Sequence, residues 1–116
     1  MKEYKVGMIG AGFMANAHSL AYATMPMFFW PAPGVPVRHK IADLTPESAK
    51  EAAARLGFAK STGNWKELIE DPEIDNIDIV TPNDSHGGMA IAVAKAGKHN
   101  FCETPICRTL DEAQAM

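Results

Sequence analysis

The chain has 116 residues, of which 47% are hydrophobic and 22% are charged, and its formal net charge is −3. This length and composition are typical of a single globular domain, so we expect residues 1–116 to fold as one unit. The small acidic excess excludes the basic surface that a nucleic-acid backbone requires, and we expect no nucleic-acid partner.

The stretch from Met25 to Val37 is the most apolar in the chain, but prolines interrupt it and it is too short to span a bilayer. No run of basic residues indicates binding to a membrane surface. The first residues lead directly into a strand-like segment, without the apolar core of a secretory signal. We therefore expect a cytoplasmic protein without a membrane partner.

Two cysteines, Cys102 and Cys107, are separated by four residues. A structural zinc site needs four ligands, and no second pair at a matching spacing follows in the sequence. We expect reduced thiols at both positions and no metal site.

Short runs of β-type residues alternate with helical patterns along the whole chain. This alternation predicts an α/β fold in which helices connect parallel strands. The predicted strands are Lys5–Ile9, Val37–Ala42, Phe58–Ser61, Ile77–Val80 and His99–Cys102. The predicted helices are Phe13–Thr24, Pro46–Leu56, Asn64–Glu70, His86–Ala96 and a last helix that Thr109 and Glu112 open as a capping pair.

The second predicted helix has the clearest boundaries. Thr45 is a preferred N-cap residue, Pro46 suits the first helical position, and Gly57 follows the last turn. One apolar stripe for packing on a sheet is formed by Ala49, Ala52, Ala53 and Leu56.

The order of these elements predicts a doubly wound Rossmann sheet of about five parallel strands, with strand order 3-2-1-4-5 and helices on both faces. A complete sheet of this type has a further strand beside the fifth. The predicted fifth strand, His99–Cys102, is therefore an open edge whose unpaired backbone groups can pair with another chain. We expect self-association through this edge.

A glycine-rich turn with the pattern G-x-G-x-x-A follows the first strand directly. Gly10 permits a tight turn, Gly12 lets a pyrophosphate approach the backbone, and Ala15 lets helix and strand pack closely. Phe13 and Met14 start the helix whose free N–H groups favour an anion, so they belong to the predicted cofactor site. The alternative is a tight strand-to-helix turn without a ligand.

Asp43, at the end of the second predicted strand, is the candidate for binding the adenosine ribose. A carboxylate there accepts the ribose hydroxyls and repels a 2′-phosphate, and no arginine follows to hold such a phosphate. We therefore predict NAD rather than NADP as the cofactor. The alternative is that Asp43 only caps the turn into the helix that begins after Thr45.

The segment Met25–Pro36 lengthens the connection to the second strand and contains three consecutive aromatic residues between prolines, Phe28, Phe29 and Trp30. Three interpretations stay open. The segment lines a substrate site, docks a second domain, or folds onto its own domain.

Four motifs follow successive strands in a fixed order: G-x-G-F-M-A at Gly10, Ala42-Asp43, Thr81-Pro82-Asn83-x-x-His86 and Cys102-Glu103-Thr104-Pro105. Together they resemble the N-terminal domain of the glucose-fructose oxidoreductase/inositol dehydrogenase/MocA family, over essentially the whole chain. Within that family, the Met25–Arg38 stretch most resembles an NAD-dependent sugar dehydrogenase.

The resemblance implies hydride transfer between a sugar carbon and a nicotinamide, with the sugar held by a C-terminal α/β domain that this chain lacks. It also implies that Thr81, Pro82, Asn83 and His86 line the cofactor, and that Glu103 lies near the nicotinamide. The alternatives are that Pro82 and Asn83 are only turn formers and that His86 is only a residue of the first helical turn.

One position departs from the family pattern. The Glu-Lys-Pro triplet of the family reads Glu103-Thr104-Pro105 here. Threonine is too short to orient the substrate hydroxyl and carries no positive charge, whereas acid–base assistance contributes about 10²–10⁴-fold in rate. We expect a chain that binds NAD but turns over little by itself, and we assign no catalytic residue.

Two other functions remain open on the sequence alone. The chain is a non-catalytic or engineered Rossmann module for assembly, or the glycine turn serves another adenosine ligand such as S-adenosylmethionine.

Overall fold

In the computed structural model, which describes residues 2–82, 85–102 and 109–116, five strands alternate with five helices. The strands are β1 (Glu3–Ile9), β2 (Val35–Ala42), β3 (Lys60–Thr62), β4 (Asn76–Ile79) and β5 (His99–Cys102). The helices are α1 (Phe13–Phe28), α2 (Pro46–Leu56), α3 (Lys66–Glu70), α4 (His86–Lys95) and α5 (Leu110–Ala115).

The strands form one parallel sheet with spatial order β3-β2-β1-β4-β5. This is the predicted Rossmann order. Since β1 connects outward to β2 and the chain then returns to β4 beside β1, the direction of winding reverses between β1 and β4. Ligands bind at this switch point, outside the carboxyl ends of the strands.

Two apolar clusters pack on opposite faces of the sheet, so the predicted helices on both faces are confirmed. On one face, Met8 and Ile41 pack against the small alanines of α1 and α2. On the other face, Ile77 and Ile79 pack against α3 and α4. The small side chain of Ala15 is fully buried, which lets α1 lie close to the sheet where the glycine turn needs it.

The second helix begins and ends as predicted. The Thr45 hydroxyl accepts a hydrogen bond from the Ser48 N–H, and Gly57 has a left-handed backbone with φ +80°. The third strand begins two residues later than predicted, because Phe58 completes the closing turn of α2. Its N–H donates to the Ala53 carbonyl and its side chain is buried.

The first helix is longer than predicted, because it continues through Pro26 to Phe28. Proline removes only one backbone donor near the end of the helix, and the Phe29 N–H still donates to the Met25 carbonyl. Strand β2 likewise begins earlier than predicted and includes Pro36. Proline is tolerated there because β3 pairs with β2 only from Lys40 onward.

The segment after α1 lies at the amino ends of the strands, where Pro33, Gly34 and Pro36 surround the Tyr4 ring. Cofactors bind at the opposite edge of such a sheet, so this segment does not line the cofactor edge of this domain, and its predicted roles at a substrate site or a second domain stay predictions. Part of it folds onto its own domain, since Ala32 is buried, while the aromatic residues before it are exposed.

None of the described helices is both long enough and apolar enough to cross a membrane.

Candidate functional site

A cleft of about 460 Å³ opens at the carboxyl ends of β1, β2 and β4. Ligand pockets commonly have volumes of about 300–1,000 Å³ and a mostly apolar lining with a few polar groups. This cleft has that character. Its lining residues are Ile9, Gly10, Ala11, Gly12, Ala42, Asp43, Leu44, Gly63, Trp65, Val80, Thr81, Pro82, Ser85 and Met89.

Gly10 makes the turn by which the chain leaves β1. Its φ of +109° lies in a region that side chains disfavour, and a Cβ atom there would lie 3.0 Å from the Val80 carbonyl oxygen. Its N–H donates a 2.9 Å hydrogen bond to the Ala42 carbonyl. Gly10 therefore makes the predicted tight turn after β1, and it also contacts the carboxyl ends of β2 and β4.

Gly12 serves a different purpose, because its backbone is extended and would accept a side chain. No described atom lies within 4 Å of the position that its Cβ would take, so the space above it is open. Gly12 is the N-cap of α1 but supplies no side-chain cap, and no acidic residue lies in the first turn. The first N–H groups of a helix lack intrahelical partners and carry partial positive charge, so an anionic diphosphate fits this position.

Phe13 and Met14 point away from the cleft. The Phe13 side chain is 82% exposed, and neither residue is part of the cleft lining. Their contribution to the predicted site is therefore through their backbone at the start of α1.

Asp43 lies in the cleft at the end of β2, with its N–H donating to the Thr62 carbonyl. Thr45, not Asp43, caps α2, so the interpretation of Asp43 as a capping residue is wrong. Within the described part of the chain, the Asp43 carboxylate makes no hydrogen bond or ion pair. It is therefore available to a ligand that donates hydrogen bonds. The exposed neighbour Leu44 offers no positive charge.

Thr81 and Pro82 form the wall of the cleft where the chain leaves β4. The Ser85 hydroxyl lies 2.6 Å from the Thr81 hydroxyl and 2.8 Å from the Pro82 carbonyl oxygen. Since a carbonyl only accepts, Ser85 donates to Pro82, and Thr81 donates to Ser85. The Thr81 oxygen therefore keeps its accepting capacity for a ligand.

His86 lies behind this wall, contrary to the expectation that it lines the cofactor. Its side chain is only 2% exposed and is not part of the cleft lining. Its Nε2 atom lies 2.7 Å from the Thr81 carbonyl oxygen. The helical register explains the difference, because His86 is the first residue of α4 and faces the interior of the domain.

Two predicted cofactor residues, Asn83 and Glu103, lie outside the described residues, as do Thr104 and Cys107. Cys102 is described, and its side chain packs against the apolar cluster below α3 and α4.

Nine residues of the cleft lining were not among the predicted site residues: Ile9, Ala11, Ala42, Leu44, Gly63, Trp65, Val80, Ser85 and Met89. Gly63 and Trp65 follow the end of β3, and Met89 lies one helical turn beyond Ser85 in α4. Their position in the sequence could have identified several of them, because residues that follow parallel strands meet at one edge of the sheet.

The sequence matches the family described as "Oxidoreductase family, NAD-binding Rossmann fold" over residues 4–116. Levoglucosan dehydrogenase of Pseudarthrobacter phenanthrenivorans is 58% identical over the whole chain, and myo-inositol 2-dehydrogenase of Thermotoga maritima is 30% identical over 97% of it. These matches cover 30% and 31% of the two relatives, so the chain spans less than a third of their length.

A solved structure of levoglucosan dehydrogenase in complex with NADH superimposes with a TM-score of 0.98 and 57% sequence identity. The match covers 99% of this chain and 31% of that one. A further structure of the same enzyme, in complex with NADH and levoglucosan, superimposes with a TM-score of 0.97 over 98% of this chain and 31% of that one.

Proposed function

The chain belongs to this oxidoreductase family and is an NAD-binding Rossmann domain, and on that premise we propose that it serves as the cofactor domain of an NAD-dependent sugar or polyol dehydrogenase. The observation that carries the proposal is the cleft at the switch point of the sheet. There the open backbone of Gly12, the accepting hydroxyl of Thr81 and the carboxylate of Asp43, which has no partner among the described residues, line one space.

Each of these groups has a role toward a dinucleotide. Gly12 and the first N–H groups of α1, at Phe13 and Met14, bind the pyrophosphate, and Gly10 holds the turn that presents them. Asp43 accepts hydrogen bonds from the adenosine ribose and repels a 2′-phosphate, which favours NAD over NADP. The bound nicotinamide supplies the centre that accepts or gives a hydride.

The remaining predicted contacts follow from the family resemblance. From the resemblance we expect Thr81, Pro82 and Asn83 to line the middle of the cofactor and Glu103 to be near the nicotinamide. Thr81 and Pro82 line the cleft, which supports their share of this assignment.

For the reaction, we extend the similarity to levoglucosan dehydrogenase to the substrate class, a sugar or anhydrosugar whose carbon exchanges a hydride with the nicotinamide. Thr104 replaces the lysine of the family and carries no ammonium group, so we propose that this chain binds the cofactor but turns over little by itself. We place it in the cytoplasm, because its cysteines show no pattern of a secreted disulfide framework.

Cofactor binding can be measured through Trp65, which lines the cleft, because the nicotinamide of NADH absorbs in the range of tryptophan emission. The only other tryptophan, Trp30, is exposed at the opposite edge of the sheet, so Trp30→Phe leaves one reporter. We expect NADH to quench Trp65 more effectively than NADPH at equal concentration, and Asp43→Ser to reduce this preference. Absence of quenching at millimolar NADH would contradict the proposal and favour a non-catalytic module.

The role of Thr104 needs a chain that holds the sugar. Residues 1–116 can replace the matching segment of levoglucosan dehydrogenase, with Thr104 retained or changed to Lys. We expect the lysine chimera to oxidise levoglucosan about 100-fold faster, the lower end of acid–base assistance. Equal rates of the two chimeras would contradict the proposal that Thr104 limits turnover, and would not affect the proposal that the chain binds NAD.

A further inference from the structure

We infer that His86 is a positioning residue of the cleft, whose imidazole fixes the Thr81 carbonyl and thereby the cofactor-facing wall of Thr81 and Pro82. This inference rests on the proposed function of the cleft as an NAD(H) site. In this inference His86 does not contact the cofactor and acts on it only through Thr81.

The geometry defines what the imidazole does. The Nε2 atom lies 2.7 Å from the Thr81 oxygen, and a carbonyl oxygen has no proton to give. Nε2 therefore carries the proton and donates it. With the side chain 2% exposed, no solvent competes for this hydrogen bond, and the ring is kept in one orientation.

The turn requires such a donor because of where Thr81 lies. Among the described residues, pairing between β4 and β5 ends at Ile79, two residues before Thr81. The next residue is Pro82, which has no N–H of its own to stabilise the turn. The Val80 N–H still donates to the Ile9 carbonyl, so within the described part of the chain His86 acts one residue beyond the last sheet hydrogen bond of this strand.

The hydrogen bond between His86 and Thr81 is linked to the cleft at both residues. Thr81 lines the cleft, and the neighbour of His86, Ser85, links the Thr81 hydroxyl to the Pro82 carbonyl. Loss of the imidazole donor leaves the partly buried Thr81 carbonyl without this partner, and the cost of that loss favours a rearranged local backbone. The Thr81–Pro82 wall then relaxes and the cleft loses its fit to the dinucleotide.

The test compares three variants of His86 with a buried histidine elsewhere. His86→Gln keeps an N–H donor at nearly the reach of Nε2, His86→Asn is too short to reach Thr81, and His86→Leu removes the donor. His39→Leu is the control, because His39 in β2 is also buried but lies outside the cleft lining.

The first readout is the NADH dissociation constant, measured through Trp65 with Trp30→Phe in every chain. We expect His86→Leu and His86→Asn to raise it about tenfold, the factor that corresponds to one lost hydrogen bond of about 1.4 kcal/mol. His86→Gln restores it to near the unmodified value, and His39→Leu leaves it unchanged. Unchanged affinity in His86→Asn, or equal losses in His86→Gln and His86→Asn, would overturn the inference.

The second readout does not depend on the cofactor. Amide hydrogen exchange of Val80 and Ser85, whose N–H groups donate on either side of the Thr81–Pro82 wall, reports the stability of the turn. We expect faster exchange in His86→Asn and restoration in His86→Gln. If unmodified protein fails to bind NADH, the proposed function fails, but this comparison still decides whether His86 fixes the wall. Identical exchange in all variants would overturn it.

Discussion

The Tyr22 hydroxyl donates a 2.7 Å hydrogen bond to the carboxylate of Asp78, which is fully buried in the middle of β4. The same carboxylate oxygen lies 2.7 Å from Nδ1 of His18, one helical turn before Tyr22 in α1. Burial and, next, the charge of Asp78 raise the pKa of Tyr22 far above its ordinary value. The phenol therefore stays protonated and remains a donor, so this contact ties the helix of the glycine turn to the strand that ends at the cleft.

Replacement of Tyr22 by Phe removes the donor but keeps the ring. We expect the free energy of unfolding to fall by about 1.5–3 kcal/mol, the usual contribution of a hydrogen bond to a charged group. Urea unfolding monitored by circular dichroism measures it. Tyr4→Phe is the matched control, because Tyr4 is partly exposed at the start of β1. Equal stability of the two variants would show that the Tyr22–Asp78 contact contributes nothing beyond packing.

The contrast between the glycine turn and this contact shows what the sequence could predict. Gly10 and Gly12 belong to a local pattern of turn, helix start and strand end, and local patterns can be interpreted without the fold. Asp78 interrupts an apolar strand, and its partners are 56 and 60 residues away in the sequence. No spacing rule links such residues, so only the packing of α1 on β4 reveals them.

The boundaries that were missed have a similar origin. A proline normally ends a helix. Pro26 lies near the last turn of α1, where the loss of one backbone N–H donor is tolerated. The position of His86 behind the cleft wall depends on the register of α4, which the motif alone does not define. Strand order, by contrast, follows from the alternation of elements and the fixed hand of their connections.

The two glycines of the turn should respond differently to alanine. Gly10→Ala forces a left-handed backbone and places Cβ against the Val80 carbonyl, so we expect a loss of about 1–3 kcal/mol in unfolding free energy. Gly12→Ala has room and an ordinary backbone, so we expect normal stability. Its methyl group, however, enters the space for the pyrophosphate, and the NADH dissociation constant should rise about tenfold or more, equivalent to at least about 1.4 kcal/mol.

Each variant of this pair is the control for the other. Thermal unfolding should detect a loss of stability in Gly10→Ala, and NADH titration should detect a loss of affinity in Gly12→Ala. A Gly12→Ala protein that is stable and binds NADH with unchanged affinity would mean that the cofactor does not approach this backbone.

Acid should weaken the fold through Asp71, in the loop before β4. The Lys40 ammonium and the Glu73 N–H donate to its carboxylate and lower its pKa from 3.8 to about 2. A carboxyl group whose pKa is lower in the folded chain stabilises the fold above its unfolded pKa. We expect this contribution, about 2 kcal/mol, to be present above pH 4 and to be lost as the pH falls toward 2.

Asp71→Asn is the direct test of this linkage. It should be less stable than unmodified protein by about 2 kcal/mol at pH 7, and the difference should nearly vanish below pH 2, where the wild-type carboxyl group becomes protonated in the folded chain as well. Urea unfolding at several pH values provides the comparison. A constant difference at every pH would assign the effect to packing of the side chain and not to its ionisation.

Self-association remains a prediction, and the structure offers a second surface for it besides the open edge of β5. Helix α1 contains no Asp, Glu, Lys or Arg, and large apolar side chains are exposed along it at Phe13, Leu20, Met27 and Phe28. The described part of strand β5 has four residues, and short edge strands pair poorly. We therefore expect the helix surface to contribute more to association than the strand edge, because groups of exposed apolar side chains often mark association surfaces.

Two single substitutions separate the surfaces. Leu20→Glu places a charge in the middle of the α1 surface, and Phe101→Glu places one on the exposed side of β5, where Phe101 is 54% exposed. Sedimentation velocity over a range of concentrations should show association of the unmodified chain, a large reduction by Leu20→Glu and a smaller one by Phe101→Glu. A larger reduction by Phe101→Glu than by Leu20→Glu would indicate that the chains associate through the edge of the sheet. A monomer at high micromolar concentration would contradict both surfaces, because neither apolar area would then be sufficient to offset the entropy lost when two chains associate.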